Sequence, residues 1–307
     1  MKKFVKNITL FLAPIIVTVL FLECFVRMMP SNFYSKVNYI KNNPDIELLI
    51  LGSSHNTTIN PNLFNIKTAN LAFPMQDIQL DSAIFFNQIK TLKKLKYLIL
   101  EFDYITLFKK NDDDYFRLSW YYIYYNIQLN NLNGVKKYSL YMSSPKFFND
   151  IIINKINSFW QKKTINPDAV FKNLNYNEKL IEIETAKRIK KMKKSLSNSN
   201  FNFNASKINY IIDFCNKNNI KVILVSNPVH KTYSNSYENN LMKNRLVYFD
   251  SLLKTNKKLI YFNHEFDSNF STNDFYNADH LNSDGAAKFT KLLNSKIDSI
   301  QNFELIH

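Results

Sequence analysis

Leu48-Leu49-Ile50-Leu51-Gly52-Ser53-Ser54-His55-Asn56 joins a run of bulky apolar residues to a small polar turn. A short apolar run without polar alternation, closed by turn residues, reads as a strand buried on both faces. Strands of that kind belong to parallel sheets covered by helices, and ligands bind such sheets at the carboxyl ends of their strands. Gly52 permits a tight turn there. Ser54 stands two residues beyond it and becomes a candidate nucleophile in need of a base.

The segments on either side extend the sheet. Residues 67–72 read as a short second strand and 77–92 as a helix, with Ile78, Leu80, Ile84, Phe85 and Ile89 at helical spacing. Residues 96–102 read as a third strand. The alternation resumes later with a helix at 205–218, a strand at 221–226, a helix at 238–254, a strand at 258–262 and a final helix at 283–297. Five strands with helices between most of them predict a three-layer α/β/α sandwich around a mostly parallel, doubly wound sheet. Residues 31–45 read as a polar lead into that sheet, and 195–200, rich in Ser and Asn, as a linker.

Residues 112–200 break the pattern. They carry no strong strand signal, but dense aromatics (Tyr115, Phe116, Trp120, Tyr121, Tyr122, Tyr124, Tyr125) and then the basic run Lys187, Arg188, Lys190, Lys191, Lys193 and Lys194. This is a helical insertion in the α/β core. It is either a lid, a sugar-stacking face or a membrane contact, or an ordinary amphipathic layer with a solvated lysine face.

Lys2, Lys3 and Lys6 precede residues 8–29, an apolar stretch interrupted by Thr9, Thr18, Glu23 and Arg27 and long enough to cross a bilayer once. No small-residue cleavage site precedes Pro30, so residues 1–30 are expected to be an uncleaved signal anchor. The leading lysines favour a cytoplasmic N-terminus, which places residues 31–307 on the extracytoplasmic side of the cytoplasmic membrane.

Forty Lys+Arg against 25 Asp+Glu give a net charge of +15. That balance suits an acidic partner, or it reflects lysine spread over solvated faces. An exported domain argues against nucleic acid. Cys24 and Cys215 are far apart, and His55, His230, His264, His280 and His307 form no His-x-x-x-His or Cys/His cluster. Neither a metal nor another cofactor is expected.

The base for Ser54 is found in Asp274-Phe275-Tyr276-Asn277-Ala278-Asp279-His280-Leu281-Asn282-Ser283-Asp284-Gly285-Ala286, a polar loop that runs into the final helix. Histidine is the side chain best suited to take a proton from a serine near neutral pH, and acids and amides able to orient His280 surround it.

Gly52-Ser53-Ser54 after a buried early strand, with Asp279-His280-Leu281-Asn282 before the last helix, resembles the SGNH/GDSL superfamily of hydrolases and acyltransferases. The likeness is to its membrane-anchored branch, similar to alginate acetylation proteins and the D-alanyl transfer proteins of teichoic acids. It covers residues 48–103 and 220–297. The resemblance implies Ser54 as nucleophile and oxyanion donor through its own N–H, and His280 as general base. The family places an aspartate three residues before the histidine; Asn277 stands there, and Asp279 and Asp274 are the nearby acids.

The family also adds a glycine N–H after the second strand and an asparagine after the third, where this chain has Asn70-Leu71-Ala72 and Glu101-Phe102-Asp103. Asn70, His55 and His230 are the candidates to compensate. The implied function is acyl transfer, through an acyl-serine, to or from an exported or cell-envelope polysaccharide, with a membrane acyl exporter as donor-side partner. The alternative is a catalytically degenerate, membrane-tethered glycan-binding or assembly protein.

Overall fold

The computed structural model describes residues 1–29, 31–111, 115, 117–129, 132–160 and 178–306. Pro30, Asp112, Phe116 and His307, which figure in the sequence reading, lie outside the described residues. In chain order the described elements are α1 (Lys2–Met28), α2 (Asn32–Asn42), β1 (Leu48–Leu51), β2 (Thr68–Asn70), α3 (Ile78–Gln88), β3 (Tyr97–Glu101) and α4 (Leu118–Tyr125). There follow α5 (Val135–Tyr138), α6 (Leu140–Ser143), α7 (Pro145–Trp160), α8 (Glu178–Lys193), α9 (Phe201–Lys217), β4 (Lys221–Ser226), α10 (Lys231–Ser234) and α11 (Asn239–Thr255). The chain ends with β5 (Ile260–Asn263), β6 (Phe275–Asn277), β7 (His280–Leu281) and α12 (Ser283–Ile306).

The chain forms two compact units, one of residues Met1–Ser35 and Asp112–Asp168, the other of Lys36–Asn111 and Ala169–His307. The second holds a five-stranded sheet in the order β2-β1-β3-β4-β5, parallel throughout. All four residues of β1 are fully buried, as an uninterrupted apolar strand requires. Side chains alternate across the sheet. Leu48, Ile50, Tyr97, Ile99, Ile223 and Val225 pack on one face against Ala286, Phe289, Leu293 and Ile297 of α12. The opposite face carries α3 and α9, whose Ile84, Phe85, Ile208, Ile211 and Ile212 are buried and whose Phe85 and Phe214 rings meet edge to face at 5.7 Å. The unit is a three-layer α/β/α sandwich.

The strand order has one functional consequence. From β1 the chain crosses outward to β2, and from β3 it crosses the other way to β4 and β5. Winding therefore reverses between β1 and β3, and the crevice at their carboxyl ends is where such sheets hold ligands.

Three local expectations are corrected. Residues 31–45, read only as a polar lead, hold α2, whose Phe33, Val37 and Ile40 are buried at helical spacing, a short stripe masked by the Ser, Lys and Asn between them. The histidine loop is ordered by an antiparallel hairpin that pairs Phe275 with Leu281 and Asn277 with His280. Finally, the stretch 112–200, read as one insertion, is divided among its described residues: α4 to α7 belong with α1, whereas α8 belongs to the α/β unit.

In the other unit, α1 is long and apolar enough to cross a membrane. Close to its end, Glu23 accepts hydrogen bonds from Ser139 Oγ (2.6 Å) and from the amides of Leu140 and Tyr141. Arg27 pairs with Glu23 at 2.6 Å and donates to the Tyr138 carbonyl. Phe33 lies among the rings of Trp120, Tyr121, Tyr124 and Tyr125.

Candidate active site

The turn after β1 is built around glycine. Gly52 has φ +139°, and a Cβ there would come within 2.6 Å of the Glu101 Cβ and 2.9 Å of Asn56 Nδ2. Only glycine fits this conformation at this distance. Carboxylates hold the turn. The Gly52 amide donates to Asp81 (3.0 Å), and the amides of Ser53 and Asn56 donate to Glu101 (2.8 and 3.2 Å), which also accepts from Ser53 Oγ at 2.5 Å. Burial, with Asp103 close by, pushes the Glu101 carboxyl up to about 7. The amides of Ser54 and His55 have no hydrogen-bond partner among the described residues. Two N–H groups are thus left beside Ser54, the candidate nucleophile, where an oxyanion would need donors.

The histidine arrives from the far end of the chain. Asn282 caps α12, its Oδ1 accepting from the amides of Asp284 (3.1 Å) and Gly285 (2.9 Å). The Gly285 position is so close to the Asp274 carbonyl that a Cβ would lie 2.1 Å from its oxygen. Two of the chain's three glycines therefore sit where close backbone approach fixes the two halves of the site. Asn277 Oδ1 accepts from the amides of Asp279 (3.1 Å) and His280 (2.9 Å), closing the hairpin tip.

These constraints place His280 Nε2 2.8 Å from Ser54 Oγ, across 226 residues of sequence. Ser54 is half-buried and His280 is buried. Two oxygens lie 3.1 Å from the other ring nitrogen, Nδ1: Asn277 Oδ1 and Asp279 Oδ1. Asn277 Oδ1 already accepts two backbone N–H groups, and an amide oxygen carries no charge; Asp279 supplies the negative charge. Burial raises the pKa of the Asp279 carboxyl, but His280 and His55 overcome it and hold this group well below the usual carboxylate range. Burial lowers the His280 pKa, and His55 and Arg188 add to that against the pull of Asp279, so the ring is a neutral acceptor at neutral pH.

Two groups that the sequence reading did not single out complete the network. Arg188, on α8, sets its Nε 2.5 Å from Asp279 Oδ1 and a terminal nitrogen 3.1 Å from both Asp279 Oδ2 and His280 Nδ1. Its helix is fixed by Ile181, Thr185 and Ile189, buried at a spacing of four residues, with the two isoleucines packing on Val229, Tyr233 and Ala278. Asp103, beyond β3, lies 2.6 Å from His55 Nδ1. Burial opposes charge on His55, yet its contacts with Asp103 and Asp279 and the charge of Glu101 raise its pKa well above the ordinary value, so it is cationic at neutral pH. Its ring lies 4.9 Å from that of His280, and its Nε2 lies 3.7 Å from Asp279.

Of the residues nominated as compensating oxyanion donors, His55 borders the dyad and the other two do not reach it. Asn70 spends its amide hydrogens on the carbonyls of Asn56 (2.8 Å) and Ile59 (2.7 Å), and its oxygen holds the Ala72 amide. It is a strap across the turn. His230 bonds to Thr232 and Thr272, and its ring packs on Phe275. Asp274 caps its own turn through the Ser271 amide and pairs with Lys288, with no bond to His280. No signal in the chain separated Asp279 from Asp274, because the choice depends on how the hairpin turns.

His55, Asp279 and His280 bring potential metal-ligating atoms within 4.8 Å of one another, as do His55, Glu101 and Asp103. Their atoms are engaged with each other, and a guanidinium rests on Asp279, an unfavourable setting for a cation.

A search of curated proteins finds no match. Among solved structures, the chain is similar to a Bacteroides fragilis protein provisionally described as an acylhydrolase, at 10% identity and a TM-score of 0.42, over 88% of this chain and 99% of that one. A protein-family model, which carries no description of an activity, matches residues 118–302, more than half of the chain. The chain belongs to the family that this model defines.

Proposed function

We propose that the protein is an SGNH-type serine acyltransferase, tethered to the cytoplasmic membrane by α1 with its α/β unit on the extracytoplasmic side, and that it moves an acetyl or similar acyl group to or from a polysaccharide. The observation that carries the reading is the 2.8 Å approach of His280 Nε2 to Ser54 Oγ, with Asp279 on the opposite ring nitrogen. Ser54 Oγ attacks the acyl carbonyl carbon as its proton passes to His280 Nε2. Negative charge gathers on the carbonyl oxygen, for which the amides of Ser54 and His55 are the donors at hand. As the tetrahedral intermediate collapses, the imidazolium returns the proton to the leaving oxygen. The acyl-serine is then released by the reverse sequence, with an acceptor hydroxyl in place of the first alcohol. Asp279 holds the imidazole in the tautomer that leaves Nε2 free to accept.

A second reading has its own support. Where the resemblance places donors after the second and third strands, the Ala72 amide is already given to Asn70, and Asp103 is a carboxylate that accepts from His55 and has no hydrogen to donate. Loss of one oxyanion donor lowers rate by about a hundred- to a thousandfold. That favours a slow enzyme or a glycan-binding relative without turnover.

Incubation with a p-nitrophenyl acyl ester, with and without an acetylatable oligosaccharide, separates the readings. Release of p-nitrophenol by the wild-type chain and not by Ser54→Ala, together with acyl groups on the sugar, is the expected result. Equal release by both proteins contradicts the catalytic reading.

A further inference from the structure

The unit built on α1 holds a cavity of about 380 Å³ that the chemistry at Ser54 does not use. Its volume lies within the range of roughly 300–1,000 Å³ over which proteins enclose small ligands. Val26 and Met29 at the end of α1 line it, together with Trp120 of α4 and Phe147 and Phe148 of α7. The polar lining includes Asn154 and Lys155, both exposed, and no carboxylate.

Position identifies the occupant. Along α1 the apolar side chains face outward, Phe11, Val17 and Phe21 among them, and none of its most apolar stretch is buried. Where that exposed surface ends, Glu23 and Arg27 fasten the helix to the segment 138–141, and the cavity begins within one turn, at Val26. With α1 spanning a bilayer, this is the depth at which hydrocarbon gives way to headgroups, the level favoured by Trp and Tyr. Ile153 and Ile156 of α7, one turn apart and each about half exposed, flank Asn154 and Lys155 and present a further apolar edge.

We infer that this cavity takes one acyl chain of an anionic membrane phospholipid, with the Lys155 ammonium beside the headgroup phosphate. The inference rests on the membrane-spanning reading of α1 and is independent of catalysis at Ser54. A helix of another membrane protein is the competing occupant, but it would need an open face, whereas these walls come from four helices, α1, α4, α6 and α7, around a pocket.

The test uses the full chain in nanodiscs containing phosphatidylglycerol with a photoactivatable diazirine at the acyl terminus. After irradiation and digestion, adducts on Trp120, Phe147, Phe148 or Ile151, in addition to those along α1, are expected. Ile151→Trp, which fills the cavity, removes the cavity adducts and keeps those on α1. Lys155→Glu, a charge reversal at an exposed position on the cavity rim, lowers the cavity-adduct yield severalfold. Adducts confined to α1 overturn the cavity while leaving the span intact; absence of adducts on α1 as well overturns both. Cavity adducts that persist at wild-type yield in both variants mark surface contact and also overturn the inference.

Discussion

Asp279 and Asn277 each present an oxygen 3.1 Å from His280 Nδ1, and charge decides between them. In the proposed reaction an imidazolium forms in each half-reaction, and a carboxylate stabilises it where an amide oxygen only fixes the tautomer. Asp279→Asn is therefore expected to lower kcat by about a hundredfold or more. Asn277→Ala should reduce kcat less and act mainly on stability, by about 1–3 kcal/mol, because the buried amides of residues 279 and 280 lose their acceptor. Steady-state kinetics and thermal melts of the two variants check this pair, and equal kcat losses contradict it. The same residues set a pH dependence. As the proposed base, His280 must be neutral; burial holds its pKa below the ordinary histidine value, so kcat/KM is expected to be lost only as pH falls into the acid range below it. Arg188 is one of the charges that depress it. Arg188→Gln should therefore move the acid limb upward, measured as kcat/KM against pH; an unmoved limb contradicts the proposed coupling. Neither Arg188–Asp279, 91 residues apart, nor His55–Asp103, 48 apart, was legible in the sequence, since both pairs depend on packing between elements that no local pattern links.

At the scale of elements, the chemistry depends on two close approaches. The strand β1 and the helix α12 were readable in advance, because an unbroken apolar run and a capped amphipathic segment each leave a periodic signature. The pairing of the His280 loop with Ser54 was legible as well, since a histidine amid acids and amides before a helix is chemically conspicuous. The hairpin of β6 and β7 inside that loop was not, being only three and two residues long. Nor was α8 as a structural partner of the site: its run of lysines dominates the pattern, while Ile181, Thr185 and Ile189 form a narrow buried stripe. The glycine at 285 gives the test at this scale. Gly285→Ala drives a methyl into the Asp274 carbonyl and must shift the first turn of α12 or the loop beside it. We expect a loss of about 1–3 kcal/mol, seen as a Tm lower by several degrees, accompanied by reduced esterase activity; an unchanged Tm contradicts the packing described.

For the whole molecule, the net charge of +15 does not collect at the site, where Asp81, Glu101, Asp103 and Asp279 are all buried. Much of it stands on solvated faces such as that of α8, where Lys187, Lys190, Lys191 and Lys193 are exposed. The α/β unit contributes the switch point at β1 and β3, and the crossovers bring a serine near the start of the chain to a histidine near its end. Everything proposed about acyl transfer requires that Ser54 be nucleophilic as it stands. The direct measurement is intact and peptide mass spectrometry after exposure to a fluorophosphonate. The wild-type chain should gain one adduct, located on Ser54, at a rate that falls with pH along the titration of His280, and His280→Ala should remain unlabelled. A folded wild-type chain that stays unmodified, or that labels equally well after Ser54→Ala, would contradict the assignment.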